Sequence, residues 1–350
     1  MGAKSGIEWT DATWEPVTGC TLVSDGCRNC YAAALAAGRM QHHPSMAGLA
    51  RRNAGGVAAF TGEVRFNEGW LTQPLRWRKP MTIFVCSRGD LFHDAVPDAW
   101  IDRVFAVMAL APQHFFRVLT KRPERMRRYL DPDGDAAGRI VDAALAMGIE
   151  PPAGVFEGDD DRGVEGFLRW PLPNVGLGVS VEERPWLLDR AGHLRMTPAA
   201  MRFLSVEPLL ADLGAVLLDD IDEVIAGGES GAHARPMHPD WARGLRDQCA
   251  AADVPFFFKQ WGEWLPWEPE HAPCWKSQNG RSEDHHALFP IDFDNQTKWD
   301  DGLWAVNDGE GQAAFERVGK KAAGALLDGV EHAQVARQVT AHFERIGRAR

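Results

Sequence analysis

Residues 174–182 read NVGLGVSVE, and their alternation decides the fold. At the period-two spacing of an extended chain, Val175, Leu177, Val179 and Val181 share one face, while Gly176, Gly178, Ser180 and Glu182 share the other. The apolar face is set to pack on helices. The opposite face is small and polar, so the branched side chains that fill an ordinary α/β barrel are not expected there. The pattern predicts an interior with room for a ligand.

Working outward, the same β-rich character recurs in TIFVCS (82–87), FRVLTK (116–121), RFLSVEP (202–208), DEVIAGGES (222–230) and PFFFKQWG (255–262), with a weaker strand signal near Trp14 to Thr18. Between them, Asp98–Ala111 and Asp240–Asp253 carry apolar residues at helical spacing, with Asp98 and Asp240 placed as N-caps. Strand, helix, strand in alternation means parallel strands joined by right-handed crossovers. The fold class is therefore α/β. A partial barrel of about six parallel strands over residues 1–265 fits the count, and an open doubly wound sheet is the alternative. The barrel reading carries a helical and acidic insertion at 131–173, which includes EGDDDRG. A Trp-rich extension or lid follows at 266–331, and a basic amphipathic helix at 332–350. Within 262–310, Trp264, Trp267, Trp275, Trp299 and Trp304 are expected to form a lid or substrate platform, or the core of a small packed subdomain.

The chain has 350 residues, 45% of them hydrophobic, and 14 tryptophans, enough for a large core. No stretch approaches the run of about 20 apolar residues that spans a membrane. The opening MGAKSGIEWTDAT holds no apolar signal segment, so a reducing cytoplasm is expected. A formal charge of −11 argues against non-specific nucleic-acid binding as the main business of the surface. A local basic patch stands out all the same. Arg117, Lys121, Arg122, Arg125, Arg127 and Arg128 crowd into one run, with Arg51, Arg52, Arg76, Arg78 and Lys79 upstream. Such charges make either a solvated helix face or a phosphate-contacting surface.

Cys20, Cys27 and Cys30 lie in WEPVTGCTLVSDGCRNCYAAALAAG, directly ahead of an alanine-rich helical segment. Three thiolates from one loop hold three irons of a 4Fe–4S cluster and leave the fourth open, unlike a closed structural zinc site with four protein ligands. Zinc would take its fourth ligand from His42, His43, Cys86, Cys249 or Cys274. Disulfide pairing is disfavoured in a reducing compartment. Cys86 and Cys249 read as buried core thiols.

Because α/β enzymes place their chemistry at the carboxyl ends of strands, those ends supply the remaining site residues. They are Ser87 and Asp90, Thr120 and Lys121, Ser180 and Glu182, Ser205 and Glu207, Gly227 to Ser230, then Lys259, Gln260 and Trp261. Glu182, Glu207 and Glu229 form either a ring of salt bridges with Lys121, Arg122 or Lys259, or a polar cup for a ligand bearing amine and carboxylate groups. Lys121, Glu207 and Lys259 are the expected catalytic members. Gly227 and Gly228, lacking a Cβ, would let backbone approach the ligand.

TWEPVTGC…GCRNCYA, FVCSRGDLFHDAVPDAW, VLTKRPERM, LPNVGLGVSVE, FLSVEPLL, VIAGGESGAHARPM, FFFKQWG and VGKKAAGALLDG together resemble an uncharacterised three-cysteine family. That family is often encoded in bacteriophage genomes and is similar to radical S-adenosylmethionine (SAM) enzymes. The spacing here is C-x6-C-x2-C, whereas most of that superfamily has C-x3-C-x2-C with an aromatic residue before the third cysteine; Asn29 stands in that place and Tyr31 follows. The resemblance implies a 4Fe–4S cluster on Cys20, Cys27 and Cys30, SAM as cofactor, and an external electron donor. It further implies hydrogen abstraction from a substrate, with nucleic acid or a nucleotide as one class. Glu229 with Gly227 and Gly228 is the first choice for holding SAM, and Ser180 with Glu182 the second. Two other readings stay open: a zinc- or cluster-stabilised nucleic-acid-binding protein without redox chemistry, and a metal-dependent barrel hydrolase using Glu182, Glu207 and Glu229.

Overall fold

The structure is a computed structural model that describes residues 5–149, 156–157, 167–267, 303–307 and 312–348. Seven strands form its main sheet: β1 (Ala12–Trp14), β2 (Thr82–Val85), β3 (Phe115–Thr120), β4 (Val175–Ser180), β5 (Met201–Val206), β6 (Glu223–Gly227) and β7 (Phe256–Gln260). Every pairing is parallel, and the order in the sheet is the order in the chain. A doubly wound sheet reverses direction at a switch point. This one does not, and it curls into a half-barrel. The weak signal near Trp14 is thus a seventh strand, a short one whose three residues offer little pattern to read.

The helices are α1 (Tyr31–Ala36), α2 (Asp98–Leu110), α3 (Pro123–Tyr129), α4 (Ala136–Ala146), α5 (Arg184–Arg195), α6 (Pro239–Ala251) and α7 (Arg337–Arg348). Asp98 and Asp240 are not N-caps. Pro97 and His238 hold those positions, and the His238 side chain accepts from the Asp240 amide. Each aspartate sits in the first turn instead, where its charge complements the helix dipole.

Val175, Leu177, Val179 and Val181 join the outer core beneath the helices, with Val104, Leu187 and Leu245. The other face departs from expectation. A Cβ added to Gly178 would lie 2.4 Å from Phe203 Cζ, and one added to Gly176 would lie 3.1 Å from Met201 Sδ. The space vacated by the two glycines is filled from the adjacent strand, where Gly178 stands opposite Phe203. A second core of Trp9, Phe84, Phe115, Phe203, Ile225 and Val339 occupies the inside of the half-barrel. The face of β4 therefore leaves no room for a ligand at Gly176 and Gly178.

Within this apolar interior, Arg117 (1% exposed) meets Glu223 (0%) through paired bonds, Nη2 to Oε2 at 3.0 Å and Nη1 to Oε1 at 2.5 Å. Its guanidinium also lies 5.4 Å from the Trp9 ring and 5.6 Å from Phe203. Glu223 accepts from the Ala336 amide at 2.6 Å, which ties in the start of α7. Arg117 is thus no part of a basic surface. Lys121 pairs with Glu182, Arg122 with Asp90 and Arg125 with Asp98, so four of the six basic residues expected to form the 117–128 patch are taken up by carboxylates.

The outer edge of β7 is covered by the chain ahead of α7: Phe258 N donates to His332 O at 2.8 Å, and Phe256 N donates to Gln334 Oε1 at 3.0 Å. That cover removes an edge open to strand addition. On α7 itself, His342 is buried against Phe115 and Phe343. Burial, then the nearby Arg345 and His114 charges, push its imidazole down to about 4. The unfolded chain binds this proton more readily, so stability is expected to fall as pH drops from about 6.5 toward 4. Urea unfolding at pH 7 and pH 5 reads this directly, and the drop should shrink in His342→Leu.

Trp264 lies buried in a strand (Trp264–Trp267) of a separate three-stranded antiparallel sheet with Gln312–Arg317 and Leu303–Asn307. Trp275 and Trp299, Cys274 and most of the acidic EGDDDRG loop lie outside the described residues. Among the described residues no helix is long and apolar enough to cross a membrane.

Candidate functional site

All seven strands present their carboxyl ends to one edge, and each end delivers a charged or polar group there. Glu15, just past β1, is buried and accepts from the Ser87 hydroxyl and the Arg88 amide. Burial raises its pKa against the opposing pull of Arg88 and Ser87. Asp90, after β2, accepts from Thr120 Oγ1 at 2.7 Å and Arg122 Nη1 at 2.9 Å. Lys121, after β3, reaches Glu182 at 3.1 Å, and Glu182 also binds Arg190 Nη1 at 2.7 Å. For Glu182 burial favours the neutral acid, but Lys121, Arg190 and the Ser24 hydroxyl outweigh it and hold the carboxyl below its usual range. Glu207, after β5, pairs with Lys259 on β7 at 2.9 Å. Glu229, after β6, is gripped by Arg235 through Nε at 2.9 Å and Nη2 at 2.7 Å.

The salt-bridge ring and the strand-end cup are therefore one structure, with two partners, Arg190 and Arg235, that strand-end reasoning did not single out. Gly228 is explained differently than expected. A Cβ on Gly228 would lie 2.0 Å from the Trp261 carbonyl oxygen, so this position is reserved for the neighbouring strand rather than for a ligand.

Across this edge runs the cysteine loop. Gly19 N donates to Arg88 O at 3.1 Å, and Thr21 Oγ1 bonds His93 Nε2 at 3.0 Å. Arg122 reaches Cys20 Sγ at 3.5 Å and Thr21 Oγ1 at 2.5 Å. Ser24 donates to Glu182. Arg235 donates to Asp25 O at 3.0 Å, and Asn29 Nδ2 to Glu229 Oε2 at 2.9 Å. Tyr31 donates its hydroxyl to Ser87 O at 2.6 Å. Gly26 passes so close to Glu182 that a Cβ would meet Oε1 at 2.6 Å. The loop is thus strapped to the ends of β2, β3, β4 and β6 by side chains the sequence separates by up to 210 residues.

Cys20, Cys27 and Cys30 are all free thiols, partly exposed. Burial, reinforced by Asp90 and opposed by Arg122, pushes Cys20 up to about 12; burial also raises Cys30 against the Ala33 and Ala32 amides. Cys27 lies near enough to act electrostatically on both. Among the described residues no three His, Cys, Asp or Glu side chains converge on a single metal ion. Zinc, with Zn–S near 2.3 Å, demands such convergence. A cubane also needs its three thiols gathered, each on its own iron, so the placement of Cys20, Cys27 and Cys30 selects neither metal. Cys86 and Cys249, offered as fourth ligands, are buried in the core, and burial raises both thiols. His43 bonds Ser45 and packs on Trp70.

The sequence profile of a family described as protein of unknown function (DUF5131) matches residues 4–336. The chain belongs to that family. No curated protein and no solved structure matches it. For this DUF5131 member, the match runs from the N-terminal segment to the cover on β7, so the cysteine loop and all seven strand ends fall inside it.

Proposed function

We propose that the chain is a radical SAM enzyme in which Cys20, Cys27 and Cys30 hold a 4Fe–4S cluster over the carboxyl edge of the half-barrel. The observation that carries the reading is the strapping of the three-cysteine loop onto Glu182, Glu229, Arg122 and Arg235 at that edge. A cluster held by these three thiols would supply the single electron for reductive cleavage of SAM, and with it the means to abstract hydrogen from a substrate.

The protein's residues position and screen. Lys121 and Arg190 keep Glu182 ionised, and Glu182 fixes Ser24 between the first two cysteines. Glu229, held by Arg235, fixes Asn29 beside Cys30. Arg122 donates toward Cys20 Sγ. Lys259 and Glu207, 18% and 13% exposed, form a pair open enough to part for a zwitterion, Glu207 taking the amine and Lys259 the carboxylate. This shifts SAM recognition from Glu229, already occupied, toward Glu207.

The test is iron, sulfide and zinc per chain on anaerobically purified protein, with the electron paramagnetic resonance spectrum of the reduced sample taken with and without SAM. About four irons and four sulfides with a SAM-sensitive signal are expected. One zinc and no sulfide after attempted reconstitution overturns the reading.

A further inference from the structure

The dismantling of the 117–128 patch leaves the other basic cluster in view. Residues 26–89 hold nine Lys and Arg against two Glu, in a chain whose formal charge is −11. There, α1 packs on a hairpin of Ala50–Arg52 and Ala58–Phe60. Between them opens a cavity of about 450 Å³ lined by Ala36, Ala37, Gln41, Gly48, Arg51 and Arg52.

Its floor is rigid. Ala36, Met46 and Leu49 form a small core of their own, with Met40 and Phe60 packed against it. The hairpin turn is closed by Val57 N on Asn53 Oδ1 at 3.0 Å, and Arg52 Nη1 is aimed by the Gly56 carbonyl at 2.6 Å. Arg51 and Arg52 are exposed and, among the described residues, neither pairs with a carboxylate. The walls are methyl, amide and guanidinium, with no large apolar side chain to enter a lipid surface. On the same helix Tyr31 is 53% exposed, its hydroxyl anchored on Ser87 O.

We propose that this groove binds the phosphate backbone of single-stranded nucleic acid, and that nucleic acid is the substrate class presented to the cysteine loop. The second clause rests on the radical SAM reading; the first stands on the groove. Two guanidiniums and an amide suit phosphodiester oxygens, and an exposed aromatic ring at the other end of the same short helix suits a base stacked out of a single strand. The placement is also right. Cys30 caps the start of α1 and the groove lines its end, six residues or about 9 Å along the helix axis. A strand gripped there is within about one nucleotide or two of the thiols.

The experiment is fluorescence anisotropy of a labelled oligothymidylate, its duplex with oligoadenylate and an RNA, each of about 15 nucleotides, titrated with the full chain before iron reconstitution and over a salt series, with co-sedimentation on phosphatidylserine vesicles alongside. Binding that weakens with salt is expected. The double variant Arg51→Gln, Arg52→Gln should bind roughly tenfold or more weakly, and the slope of log affinity against log salt should flatten by about 1.4 for two lost phosphate contacts. Arg127→Gln, Arg128→Gln on α3 makes the same charge change and should keep wild-type affinity. Wild-type affinity and slope in the Arg51, Arg52 variant would overturn the proposal, as would absence of oligonucleotide binding, tighter binding of duplex, or binding only of phosphatidylserine vesicles. Because iron is not needed for this titration, a chain that holds the cluster and fails here refutes the substrate class alone.

Discussion

Replacing Glu223 by glutamine is expected to lower the melting temperature by roughly 5 °C, measured by circular dichroism at neutral pH. Arg117 would then stand charged and uncompensated inside an apolar core, and breaking one side of a buried pair costs about 3–5 kcal/mol. At about 2.1 cal/mol/K of unfolding entropy per residue, a chain of 350 residues shifts by about 1.4 °C per kcal/mol, which converts to the stated shift. Glutamine keeps an acceptor for the Ala336 amide, so the loss reports the charge and not the tie to α7. The double variant Arg117→Met, Glu223→Gln should recover a large part of the stability, since it removes the orphaned cation while filling its volume. A single Glu223→Gln variant melting within about 2 °C of wild type would show that the guanidinium finds another partner, and the account of the interior would need revision.

That interior shows why part of the fold was legible and part was not. Strand positions could be read because alternation is local, and NVGLGVSVE suffices to place β4. What fills the far face could not, because Gly178 implies vacant space without saying whether a ligand or a side chain takes it. The answer, Phe203, lies one strand away in the register and carries no mark of that role in its own segment. Arg117 reads as surface for the same reason: its partner Glu223 is 106 residues distant. Strands shorter than four residues fare worse still. β1 offered three residues, and with it went Glu15, which the strand-end argument would have named had the strand been accepted.

At the site the balance is similar. The cysteine spacing, the glutamates and both lysines were legible because each ends a strand or shares a loop. The pairing among them was not, since Glu182 chooses Lys121, Arg190 and Ser24 from three separate elements. Arg235 had a signal available, a lone arginine six residues past Glu229 on a glycine-containing loop. Reading both as candidates for one ion pair would have predicted how the loop at Asp25 is held.

Cys27→Ala is expected to abolish iron and sulfide retention while leaving the metal-free fold close to wild type. Two remaining thiols cannot hold a three-cysteine cubane, so iron should fall from about four per chain to near zero. The fold should survive because the loop does not depend on metal for its place. Ser24 on Glu182, Asn29 on Glu229, Arg235 on Asp25 and Arg122 on Thr21 each hold it without a thiol, and Cys27 itself is only partly buried. A structural zinc clip behaves the other way, since metal binding there is folding free energy and its loss unfolds the segment it closes. The informative comparison is therefore iron content beside melting temperature, wild type against variant, both stripped of metal. Loss of iron with a change of no more than about 2 °C supports a loop built to present a cluster. A large drop in melting temperature in the stripped variant would mean that Cys27 serves packing, and near-wild-type iron would mean that the ligands lie elsewhere in the chain.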